Sequence, residues 1–224
     1  MTDMHMGARS RRWVVPIIAL IVLACVIASV VPTIRMRFLR AAGWALVVHR
    51  QPIPSADVIV VAIDADGAGM LEAADLVHNG VSTRVAVFAT PPDAKADSEF
   101  LRRGIPYEDA AAVSTRQLRS LGIGNVEQIA RTVAGSEEEG EVLPAWCDQH
   151  HYRSVVVVTT SDHSRRLRRI LARAMQGHQT SVTVQPAHYS TFDPDRWWQT
   201  RGGTRTEIFE LEKLLLDLVR HPFS

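Results

Sequence analysis

The chain has 224 residues, 46% of them hydrophobic, with 25 Lys and Arg set against 24 Asp and Glu. That length supports one substantial core, and the near-zero net charge removes the electrostatic footprint that nucleic-acid binding requires. The two cysteines, Cys25 and Cys147, make neither a disulfide framework nor a metal site.

Residues 1–12 form a short basic segment containing Arg9, Arg11 and Arg12. Trp13–Ile34 then carries no charged side chain, and about 20 such residues cross a hydrocarbon core. The predicted element is a retained transmembrane helix. A cleaved signal peptide would need a shorter apolar core and a small-residue cleavage site, which Val30–Val31–Pro32 does not supply. A lipoprotein signal at Leu23–Ala24–Cys25 is disfavoured because Val26, Ile27, Val30 and Val31 continue the apolar run. Arginines flank the run on both sides, so the positive-inside rule gives no orientation. Residues 35–55 are read as a helix lying at the membrane surface, with Trp44 and the arginines near the headgroups, and a linker stiffened by Pro52 and Pro54.

From residue 56 onward, short apolar runs alternate with helical patterns. Strands are predicted at Asp57–Ile63, Thr83–Ala89, Val126–Ala130, Ser154–Thr160 and Ser181–Gln185. Helices are predicted at Leu71–Asn79, ended by Gly80, at Asp97–Arg103 and at about Ser164–Gln176. A last helix, Thr206–Arg220, is amphipathic, with Ile208, Leu211, Leu215, Leu218 and Val219 on one side. The alternation predicts an α/β fold: a Rossmann-like three-layer domain over 56–224 with a mainly parallel sheet, preceded by one N-terminal transmembrane helix.

The most informative stretch is Val155–Arg169, VVVVTTSDHSRRLRR. Its valines suit a strand buried on both faces. At the strand's end stand Thr160, Ser161, Asp162, His163 and Arg166, with Ser161 or Asp162 placed to cap the following helix. In open α/β sheets ligands bind at the carboxyl ends of the strands, where helix N-termini also favour anions. Hence His163 is the candidate acid/base and Arg166 the candidate anion clamp, with Thr160 and Ser161 as ligand-binding hydroxyls. The plainer alternative is that His163 only packs or caps the turn. Arg165, Arg169 and Arg173 are expected on a solvated face of that helix.

Asp64, Asp66 and Gly67 follow the first strand and face the same crevice. On an extended chain the D-x-D spacing puts both carboxylates on one side. Asp64 is the candidate second catalytic group, and Asp66 and Gly67 are candidate ligand contacts. Two carboxylates are too few to predict a metal, and none is predicted. Ser136 and Glu139 are further ligand-binding candidates, although Ser-x-x-Glu is also a capping box that does no more than start a helix. Pro144 predicts a kink or a late start there.

The order of these motifs resembles the bacterial YdcF/SanA/ElyC-like family (domain of unknown function 218). The resemblance runs from about Phe38 to Val219. It rests on FLRAAGWALVVHRQPIPSADVIVVAI over Phe38–Ile63, and on Leu71–Gly80 followed by Arg84–Phe88. GSEEE at Gly135–Glu139, VTTSDHSRR at Val158–Arg166, and Trp197–Trp198 before a leucine-rich acidic helix complete it. Two segments depart from the family pattern. Ile63–Asp64–Ala65–Asp66–Gly67 stands where the family has a glycine cluster, and Ala89–Thr90–Pro91–Pro92 stands where it has Ser-Gly-Gly.

The resemblance implies a single-pass protein of the inner (cytoplasmic) membrane with an extracytoplasmic domain, acting in cell-envelope biogenesis or barrier maintenance. It implies a domain that binds or processes an anionic, phosphorylated or lipid-linked envelope precursor. A non-catalytic module that holds envelope proteins is the alternative. A binder of a nucleotide-like ligand such as S-adenosylmethionine is a third, weakened by the missing glycines, since such ligands approach the backbone closely. No cofactor is specified.

Overall fold

In the computed structural model, residues 31–91 and 93–222 are described. They fall into two compact units, divided between Ala42 and Gly43. Among the described residues no helix is long and apolar enough to cross a membrane. The predicted span at 13–34 lies, apart from its last four residues, outside them. Helix α1 covers Pro32–Leu46, where a juxtamembrane helix is expected.

The second unit is an α/β domain. Strand β1 is Val58–Val61, and a 3₁₀ turn at Ile63–Ala65 leads into α2, Asp66–His78. Strand β2 is Val85–Ala89, followed by α3 (Ala94–Arg102), α4 (Ala110–Ser120) and β3 (Val126–Thr132). Then come α5 (Ser136–Gln149), β4 (Ser154–Thr159), α6 (Ser164–Ala174), β5 (Ser181–Pro186) and α7 (Arg201–Arg220). The five strands are all parallel, in the order β3-β2-β1-β4-β5. Helices α2 and α4 pack together, as do α5 and α6. Right-handed crossovers place these pairs on opposite faces of the sheet.

The central strands are buried on both faces: Val58–Val61 and Val155–Val158 lie side by side, fully enclosed. An uninterrupted β-branched run is stable only in that setting. At the amino end, the carboxylate of Asp57 accepts hydrogen bonds from the backbone N–H groups of Arg153 (2.6 Å) and Ser154 (2.9 Å), tying the two strands together. Chain order reverses between β1 and β4, so the ligand-binding crevice of such a sheet falls at their carboxyl ends.

Four expectations change. Helix α4 is missing from the sequence reading because small and polar residues obscure its apolar face, of which Ala111 and Leu118 are buried. Asp64 and Asp66 are not on an extended chain, since the 3₁₀ turn and the start of α2 take over directly after β1. Helix α5 starts on time at Ser136 and runs through Pro144, the residue at i−4 from that proline being Gly140.

The largest change concerns α7. Its buried residues are Glu207, Glu210, Leu214 and Asp217, whereas Ile208 is 58% exposed and Val219 79% exposed. The helix has turned its acidic stripe inward because α6 presents arginines at the matching spacing. Arg166 Nε lies 3.2 Å from Glu210, and Asp217 accepts from Arg169 at 2.5 Å and is ion-paired with Arg173 at 2.7 Å. Those arginines are thus the joint between two helices rather than a solvated face. Arg165 also leaves solvent, donating to the carbonyl of Val47 at 2.8 Å.

Candidate functional site

The turn that joins β4 to α6 sets the site. His163 occupies the N-cap position of α6 with helical backbone angles and makes no capping bond. Ser161 and Asp162 do not cap the helix either. The hydroxyl of Ser164 donates to the Ser161 carbonyl at 2.7 Å and accepts from Val48 N–H at 2.9 Å. This binds the segment after α1 to the first turn of α6. The Ser161 hydroxyl lies 2.9 Å from that of Ser190.

His163 is 2% exposed, far more enclosed than a crevice residue need be. Both ring nitrogens are engaged. Nε2 lies 2.9 Å from the hydroxyl of Ser136 and 3.6 Å from the carboxylate of Asp64, while Nδ1 lies 3.2 Å from Glu210. Arg166 also places its Nη2 3.0 Å from Nδ1. The carboxylate favours a protonated Nδ1 and the guanidinium a bare one, so either neutral tautomer has a built partner. With Nδ1 protonated toward Glu210, Nε2 is the basic nitrogen and faces Ser136 and Asp64.

Ser136 and Glu139 do not form a capping box. The Ser136 hydroxyl goes to His163, and Glu139 Oε1 accepts from the backbone N–H of Ile63 at 2.8 Å. Glu139 therefore fastens the turn that carries Asp64. Burial pushes the Glu139 carboxyl up to about 8, and neighbouring Asp64 adds to that rise. Burial also works to raise the Glu210 carboxyl. The bonds from His163 and Lys213 and the charge of Arg166 outweigh it and hold it at about 2.

A cavity of about 440 Å³ opens beside this cluster, at the carboxyl ends of β1 and β4. Asp64, Asp66, Thr160, Asp162, His163, Glu210 and Lys213 line it, as do Thr200, Gly202 and Gly203 at the start of α7. The sequence candidates thus divide. Asp64, Asp66, Thr160 and His163 meet at one cavity, whereas Ser136, Glu139 and Arg166 act behind it through other side chains. Ser161 and Gly67 line neighbouring cavities instead. Among the described residues no group of three or more His, Cys, Asp or Glu side chains is arranged to hold a metal.

Sequence reasoning missed Glu210, Lys213 and Glu207. The signal was present in the acidic spacing of α7, at Glu207, Glu210 and Asp217, which complements Arg166, Arg169 and Arg173 on α6. Glu207 is 1% exposed, and neither of its carboxylate oxygens has a hydrogen-bond partner among the described residues. Burial, reinforced by Asp162, lifts its carboxyl to about 7. Asp162 is raised as well, by burial first and the charge of Glu210 second.

No protein-family model matches the chain, and no curated protein matches it. Among solved structures, the reductase domain of the aureusimine biosynthetic cluster is similar at 9% identity and a TM-score of 0.31. The match covers 66% of this chain, which spans about half (54%) of that one. Similarity at that level carries no argument about function.

Proposed function

We propose that this chain is a membrane-anchored α/β protein of the YdcF/SanA/ElyC-like kind that binds and processes an anionic cell-envelope precursor in the cavity beside His163. The observation that carries the reading is the enclosed imidazole held on both ring nitrogens, by Ser136 and Glu210, at the point where the sheet reverses its strand order. An oriented ring with a carboxylate behind it is the arrangement a general acid/base needs. Asp64 faces both the cavity and Nε2, and is the group through which a proton passes between ligand and ring.

The wall chemistry shapes the head group. Asp64, Asp66 and Asp162 accept hydrogen bonds from hydroxyls, which suits a sugar-like head. The anionic group belongs beside Lys213, which lines the cavity and is paired with Glu210 at 2.7 Å. Arg166 is engaged by Glu210 and His163 and serves to position them. The apolar run at 13–34 anchors the protein, with the domain extracytoplasmic.

The test is complementation of a deletion strain, scored by its envelope barrier. His163→Gln and Arg166→Ala should fail while accumulating to normal levels, and Arg168→Ala, exposed on the same helix, should succeed. If all three succeed, the cavity is not a working site.

A second reading, a module that holds envelope proteins, is favoured by one feature: the outward apolar face of α7, with Ile208, Leu215 and Val219 exposed. Complementation by His163→Gln together with failure of Leu215→Asp would select it.

A further inference from the structure

We infer that the ligand of the His163 cavity carries a short aliphatic substituent, seated in a second cavity between the carboxyl ends of β1 and β2. The inference rests on the proposed anionic ligand of the first cavity and names the rest of that molecule. A space of about 280 Å³ opens on the other side of the turn that follows β1. Asp66 lines both cavities, so they meet at a single residue. Among the described residues no other charged side chain lines the second one, whose walls include Met70, Phe88 and Val113 beside the neutral polar Thr90, Ser114 and Gln117. The first, by contrast, has charged groups from three separate segments of the chain.

The backbone at the junction is unusual. Asp66 has φ 43° and ψ −147°, a combination that non-glycine residues seldom adopt and that persists where surrounding structure enforces it. The next residue is Gly67, where an added Cβ would meet nothing within 4 Å. Packing does not require a glycine there, and the space above it is open toward the second cavity. A strained residue followed by an open one, dividing a charged space from a largely uncharged one, fits a molecule lying across the turn. Its charged head reaches His163 and its apolar end lies against Met70 and Val113. The size of the second cavity admits a short group and not a long lipid chain.

The experiment is a binding series on the full-length protein in detergent, using inorganic, ethyl, butyl and hexyl phosphate as probes. Affinity should rise roughly threefold to fourfold per methylene. In Val113→Trp, which fills the second cavity, hexyl phosphate should bind no better than ethyl phosphate, while inorganic phosphate binds as to the parent protein. Partition into detergent is common to both proteins and cancels in that comparison. Should Val113→Trp fail to fold, Ala110→Leu at the exposed edge of the cavity should blunt the gradient to a smaller degree. A flat series in the parent protein, or a gradient unchanged by both substitutions, overturns the inference. Loss of inorganic phosphate binding with the gradient intact would instead count against the anionic reading of the first cavity, and would leave the second standing.

Discussion

The carboxylate of Glu210 reaches Nδ1 of His163 at 3.2 Å across 47 positions of sequence, from a helix whose apolar side faces outward. Helix α7 therefore sits where it does because its acids answer the arginines of α6, and the same registration that docks the helix orients the imidazole.

Replacing Glu210 with Gln tests that arrangement by pH. The native carboxyl is held at about 2, below its ordinary range, so its stabilisation is fully present above about pH 4.5 and is lost as pH falls toward 2. At pH 7 the Gln variant should be less stable by about 2 kcal/mol in chemical denaturation. The gap should close near pH 2. A gap of constant size across that range would show that the carboxylate charge is not the source.

Glu207 behaves with the opposite sign. Its carboxyl is lifted to about 7, so the folded state favours the protonated form and loses stability as pH rises from about 4.5 toward 7. Glu207→Gln should therefore stabilise the protein at pH 7.5, on the order of 2 kcal/mol, and make no difference at pH 4. Thermal melts at the two pH values decide the matter.

Arg169→Ala should destabilise the domain by about 2 kcal/mol, because it strips one of two cationic partners from a carboxylate that is almost wholly enclosed. Asp217→Asn in the same background should recover part of that loss, since the remaining group no longer carries a buried charge. Additive losses would argue that the pair does not couple the helices.

At Gly140 an added Cβ would come within 2.8 Å of Ile170 Cγ2 and 3.4 Å of Ala174 Cβ, so α5 and α6 meet there without room to spare. Gly140→Ala should cost about 1–3 kcal/mol. Ile170→Leu, which removes that γ-methyl, should make the double variant more stable than the sum of the two single losses.

The strands were legible because valine runs such as Val155–Val158 have few other ways to be buried, and the crevice follows from their order once the sheet is known. His163, Asp64, Asp66 and Thr160 could be found from their position at strand ends. What could not be read was which side of α7 faces inward. Hydrophobic periodicity names Ile208, Leu215 and Val219 for the core, and that rule fails here because the partner helix offers arginines rather than leucines. Glu210 was hidden for the same reason. Ser136 and Glu139 show a different limit: a capping box and a pair of long-range contacts have one and the same sequence, and only the fold separates them.

The bond from Val48 N–H to the Ser164 hydroxyl has a mechanical consequence. Together with Arg165 holding the Val47 carbonyl, it clamps the entry of the domain to the residues immediately after His163. Tension applied to the chain at Gly43 would reach the imidazole through this clamp before it reached the sheet. The turn between β4 and α6 thus carries load at the entry of the domain.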